Sequence, residues 1–126
     1  MTHGMISAPQ PESVEAGIEV FKAGGNAVDA AITCALVQTA VDPQMCGIAG
    51  FGNIQLYLPS LGVHTTFDFH GRSPLATKAD MWEHLIEHEA LDGWGFILKG
   101  RVNEFGYGAI TTPRTLATFG EVLSRY

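Results

Sequence analysis

Apolar and polar positions alternate along this chain with two different periods. Met5 to Ala8 is a short apolar run ended by Pro9 and Pro11, which reads as a strand and a turn. From Glu12 the period becomes helical: Val14, Ile18 and Phe21 fall on one face, while Glu12, Glu15, Glu19 and Lys22 take the other. Gly24 and Gly25 supply a helix stop, and Asn26 an N-cap for a second helix from Ala27 to about Ala40. Alanine recurs there at 27, 30, 31, 35 and 40, so this helix is expected to be central and approached on more than one side. After Pro43 comes a glycine-rich turn, Gly47 to Gly52. Ile54 to Leu58 and Val63 to Phe69 then read as two strands joined at Pro59–Gly62, an antiparallel hairpin. Lys78 to about Ala90 is predicted helical, and Leu91 to Gly108 a loop with room for a short strand. Pro113 to Tyr126 is a last helix with Leu116, Phe119 and Leu123 on one face. That helix reaches the chain end without a cap, which reads as a truncation point.

The 126 residues suffice for one domain or a fragment, taken here as a single fragment over 1–126. Charged residues are 16%, against roughly 25% in an average soluble domain, as if part of the surface were normally covered by more protein. The net charge of −6 and the scatter of the seven basic residues argue against nucleic acid and an anionic membrane surface as partners. No run approaches the length of a membrane span, and the start carries no secretory pattern, so the expected location is cytoplasmic. Cys34 and Cys46 have no metal spacing and are expected to be free, buried thiols.

Glu15-Ala16-Gly17, then Gly24-Gly25-Asn26-Ala27-Val28-Asp29-Ala30-Ala31, then Asp42-Pro43-Gln44 and a glycine-rich turn into a strand resemble the large-subunit start of the γ-glutamyltransferases. The resemblance is good over roughly residues 4 to 85 and looser beyond. It implies an α+β fold, the N-terminal portion of an αββα N-terminal-nucleophile hydrolase sandwich. It implies a self-cleaving precursor whose small subunit begins with the nucleophilic Thr, the amine of that Thr serving as base. That small subunit lies far beyond Tyr126, so no catalytic residue is assigned within this chain, which is expected to be inactive alone. The expected partners are the remainder of its own precursor and a small-molecule amide substrate, with homo-oligomerisation open; no cofactor or metal is expected. The GGNAVDAA run is read as structural. The alternative is a non-catalytic partner or remnant that binds another chain.

The family carries Asp-aromatic-Arg-Glu-x-Ala-Pro at the end of the second strand, where the Arg holds the α-carboxylate of the glutamyl group. Aligning Asp68, Phe69 and Pro74 puts His70 at the Arg position, Gly71 at the Glu, and Arg72 two residues later. A guanidinium offers a carboxylate a planar pair of donors, and a neutral imidazole only one. Either Arg72 replaces the missing guanidinium, or His70 faces the pocket and the substrate is not a γ-glutamyl compound, or both are solvated loop groups. In an alternating strand both side chains would point the same way, so His70 and Arg72 are the substrate-binding candidates.

Three bland readings complete the picture. His84 and His88 are spaced i, i+4 on the expected helix but carry the Glu in the wrong place for an HExxH site, so a solvated face is preferred. Gly47–Gly52 lacks the Lys-Ser/Thr of a phosphate loop. Trp82 and Trp94 are read as core.

Overall fold

A computed structural model describes residues 4–126. They separate into two compact units: residues 4–70 with 113–126, and residues 71–112.

The first unit begins with α1, Pro11–Lys22, and α2, Ala27–Val41. Proline opens α1, where its missing N–H costs nothing. The double glycine ends it as expected: Gly24 is left-handed (φ 91°), the Gly25 N–H reaches the Val20 carbonyl at 2.9 Å, and the Gly24 N–H reaches Phe21 at 3.1 Å. Asn26 then caps α2. Its Oδ1 accepts from the Val28 and Asp29 amides (2.7 and 3.0 Å), and Asp29 Oδ2 accepts from the Asn26 amide at 2.9 Å. Three orphan donors are thereby satisfied, two by Asn26 and one by Asp29 in return.

The face that α1 buries is not the predicted one. Ser13 and Gly17 are its buried residues, and Ile18 is 40% exposed. Small side chains win here because the two helices come close: a Cβ on Gly17 would lie 2.5 Å from Cys34 Sγ. Between the helices, Ser13 Oγ donates to Gln38 Oε1 at 3.0 Å, both residues being buried. Of the other buried positions of α2, Val28 and Ile32 belong to the hydrophobic core, while Ala30 does not. The helix is thus covered on two sides, as its alanines predict.

Strands β1, Asn53–Leu58, and β2, Val63–Asp68, form the antiparallel hairpin, with Leu58 opposite Val63 and Asn53 opposite Asp68. A 3-10 turn at Pro59–Leu61 and a left-handed Gly62 (φ 64°) close it. Helix α3, Thr115–Arg125, completes the unit. Val28, Ile32, Leu56, Phe69, Phe119 and Val122 make the core, with the Phe69 and Phe119 rings edge to face at 6.1 Å. The buried residues of α3 are Thr115, Phe119 and Val122, whereas Leu116 and Leu123 are 49% and 43% exposed. The helix is therefore turned by about one residue from its predicted face. Met5–Ala8 is not a strand.

The second unit departs most from expectation. Residues 78–90 are not a helix: turns lead to a 3-10 turn at Glu83–Leu85 and then to β3, Ile86–Glu89. This strand pairs antiparallel with β4, Phe96–Leu98, with an irregularity between Ile86 and His88. The Ala90 N–H meets the Gly95 carbonyl at 2.8 Å, and left-handed Gly93 turns the hairpin. Hence His84 and His88 do not share a helix face. Trp94 is 91% exposed, not core. Among the described residues, no helix is long and apolar enough to cross a membrane.

Candidate functional site

Strand β2 ends at Asp68, so strand alternation does not extend to both candidate residues. They fall in different units, His70 in the first and Arg72 in the second.

Asp68 and His70 form a close pair. The His70 backbone N–H donates to Asp68 Oδ1 at 3.0 Å, and His70 Nδ1 lies 2.8 Å from the same oxygen. The backbone hydrogen bond, then the imidazole hydrogen bond, hold the Asp68 carboxyl below the usual carboxylate range; the positive charges of His70 and Arg114 act in the same direction. The carboxylate can only accept, so Nδ1 carries the proton and Nε2 is left as the ring's free nitrogen. In the neutral ring Nε2 accepts a hydrogen bond; protonated, it donates one. Both side chains are more than half exposed. The Phe51 ring packs against the imidazole with centroids 5.2 Å apart. Phe51 belongs to the glycine-rich turn, which brings the two ends of the hairpin region together: the Phe69 N–H reaches the Gly52 carbonyl at 3.0 Å.

In the second unit Arg72 is exposed. Its carbonyl accepts from the Thr112 N–H at 3.1 Å and the Thr112 hydroxyl at 3.4 Å, which ties the backbone of this segment to Thr112. Close by, a Cβ on Gly71 would lie 2.3 Å from Thr111 Oγ1, so glycine is needed where these two segments meet.

Sequence reasoning missed Asp68 as the partner of His70, and Phe51 and Arg114 beside them. The signal was present in Asp-x-His at a strand end, where an Asp side chain bonds the amide two residues on. Among the described residues no group of three or more His, Cys, Asp or Glu is placed to hold a metal ion. Cys34 is buried, Cys46 is half-buried, and both are free.

Helices α2 and α3 packed with a hairpin around one core, and α1 packed on α2, make an α+β chain, with an acid–imidazole pair at the hairpin's end; its likeness to the solved structure below places that fold among the N-terminal-nucleophile hydrolases. The family model for gamma-glutamyltranspeptidase matches residues 13–126, and the chain belongs to that family. It is 32% identical over 125 residues to the acylase ACY 1 proenzyme of Pseudomonas sp. (strain V22), covering 99% of this chain and 22% of that protein. It is 32% identical over 124 residues to the glutathione hydrolase proenzyme of Pseudomonas sp. (strain A14), covering 98% and 20%. The structure superposes on the gamma-glutamyltranspeptidase of Helicobacter pylori with a TM-score of 0.79 at 27% identity, over 100% of this chain and 33% of that one. The chain therefore spans about a fifth of the length of these two curated relatives.

Proposed function

We propose that this chain supplies the scaffold and one wall of the substrate pocket of a γ-glutamyltransferase-like amidohydrolase or acyltransferase. Its nucleophile would come from a small subunit made by the remainder of the same precursor, so the chain alone is inactive. The observation that carries the reading is the family match over residues 13–126, joined to a coverage of only about a fifth of relatives that are themselves proenzymes. Co-expression with a family small-subunit half, followed by incubation with a γ-glutamyl anilide, tests it. Restored turnover supports the proposal; a stable complex without turnover favours a non-catalytic partner.

Within that pocket Arg72 holds the carboxylate end of the donor. Arg72→Ala in the assembled enzyme should raise KM for the anilide about tenfold or more, the value of one charge-assisted contact. An unchanged KM removes Arg72 from the site. A second reading is favoured by the Asp68–His70 pair: with Nδ1 committed to Asp68, His70 offers the substrate one nitrogen where a fork would offer two. The substrate would then be an acyl amide without a γ-glutamyl head. Preference for a simple acyl anilide over the γ-glutamyl one, reversed by His70→Arg, would establish it.

A further inference from the structure

The seven basic residues of the chain are not alike in their surroundings. Lys22, Arg101 and Arg125 are exposed, and each is ion-paired to a glutamate three or four residues away, Glu19, Glu104 and Glu121. Arg72, Lys78 and Lys99 are exposed to water. Arg114 alone among the seven is half-buried, and among the described residues it forms no ion pair. A guanidinium is all donor and no acceptor, and a charge withdrawn in part from water calls for an anionic partner.

Three segments of the first unit meet around it. Arg114 is the N-cap residue of α3, and its carbonyl takes the Thr118 N–H at 3.0 Å, which fixes the backbone there. The next residue, Thr115, lies against the glycine-rich turn: a Cβ on Gly50 would be 3.8 Å from Thr115 Oγ1. Phe51, one residue further along that turn, packs on the His70 imidazole, and Phe69 meets Phe119 of α3. Within this cluster the positive charge of Arg114 is felt at the Asp68 carboxyl. Asp68 is nevertheless committed elsewhere, because its Oδ1 accepts both the His70 amide at 3.0 Å and His70 Nδ1 at 2.8 Å. An uncommitted guanidinium thus stands beside a committed acid–imidazole pair. Its neighbours select the anion it would take. The Asp68 charge opposes a dianion such as a phosphate monoester, whereas a carboxylate brings one charge and matches the planar fork.

We propose that Arg114 is a substrate-binding residue, its guanidinium holding a carboxylate of the acyl donor beside the Asp68–His70 pair. The inference rests on the pocket-wall reading above and adds to Arg72 a second guanidinium, in the same unit as His70.

The γ-glutamyl anilide, whose one carboxylate is on the α-carbon, serves as the probe, and its α-carboxamide as the uncharged counterpart. Titrated into the 126-residue chain, the anilide is expected to shift the Arg114 Nε–H resonance in NMR, and the carboxamide to leave it in place. Arg114→Ala should abolish the preference for the carboxylate; Arg114→Lys, which keeps the charge and loses the fork, should retain a weaker one. In the co-expressed assembly Arg114→Ala should raise KM about tenfold or more for the anilide, the value of a charge-assisted contact, and less than about twofold for the carboxamide, with kcat little changed. An inactive assembly would sink the proposed activity, while the chain titration still decides the role of Arg114. An Arg114 resonance that ignores the anilide, or moves equally with both compounds, would overturn the proposal. So would a response in the chain alone joined to an active assembly whose KM is indifferent to Arg114→Ala, because a carboxylate from the remainder of the precursor would then occupy the guanidinium.

Discussion

Gly17 sets the separation of α1 and α2, and two opposing effects decide what Gly17→Ala would do. Alanine in a helix interior gains about 1 kcal/mol over glycine in intrinsic propensity. Against this, the new Cβ would lie 2.5 Å from Cys34 Sγ and 2.7 Å from Ile6 Cδ1, both closer than real Cβ contacts. Cys34 is buried with a single side-chain torsion and has little freedom to retreat. Overpacking of this kind costs about 1–3 kcal/mol. The net expectation is a loss of about 1 kcal/mol, equivalent to a fall of roughly 4 °C in Tm for a chain of this size. Gly120→Ala in α3 is the matched control, since nothing lies within 4 Å of its Cβ position; there the propensity term acts alone and should stabilise by up to about 1 kcal/mol. Cys34→Ala, made together with Gly17→Ala, should recover part of the loss and give a non-additive cycle. Urea unfolding followed by far-UV circular dichroism reads the wild type, Gly17→Ala, Cys34→Ala, their double variant and Gly120→Ala. If Gly17→Ala stabilises as much as Gly120→Ala, the close helix approach is wrong.

Other expectations follow from single contacts. Asn26→Ala removes the cap of α2 and its bond to the Tyr126 carbonyl, and should cost about 1 kcal/mol in the same urea experiment. Ser13→Ala leaves the buried Gln38 Oε1 without its donor and should cost about 1–3 kcal/mol, whereas a change within error would mean the amide finds another partner. Because the folded carboxyl of Asp68 is depressed, whatever stability it gives is present above the ordinary carboxylate range and is lost as pH falls through the folded value. The difference between wild type and Asp68→Asn should therefore shrink on acidification, and a difference that grows instead would reverse the sign. Alone, the chain exposes Phe51, Tyr57, Leu75 and Trp94 and the strand edges of two-stranded sheets, so concentration-dependent association is expected in light scattering. A monodisperse monomer would count against a normally covered surface.

The first unit was legible because its signals are local and mutually consistent. Gly24-Gly25-Asn26 states where one helix stops and the next begins, and the alternation from Val63 to Asp68 matches the observed register. What failed was orientation. Ser13 and Gly17 look unremarkable beside Val14 and Ile18, yet only small residues admit a neighbouring helix at close range. Leu116 and Leu123 look like core, but Phe119 and Val122 are the residues of α3 that meet the hairpin and α2 core. In residues 78–90 the good helix formers Ala79, Met81, Leu85 and Ala90 misled, because pairing with Phe96–Leu98 outweighs intrinsic propensity. The turn at Gly93 and Gly95 was the available clue. At the candidate site the residue types were readable, but the commitment of His70 to Asp68 depends on a turn geometry that composition does not reveal.

The first unit is built from two stretches of sequence, 4–70 and 113–126, with the second unit spliced between them. During synthesis the helical hairpin and β-hairpin leave the ribosome with Phe69 still lacking Phe119, and the closing helix arrives more than forty residues later. The entropic penalty for bridging such a gap rises only logarithmically with its length. A longer or shorter spliced segment would therefore change the penalty for closing the scaffold only a little.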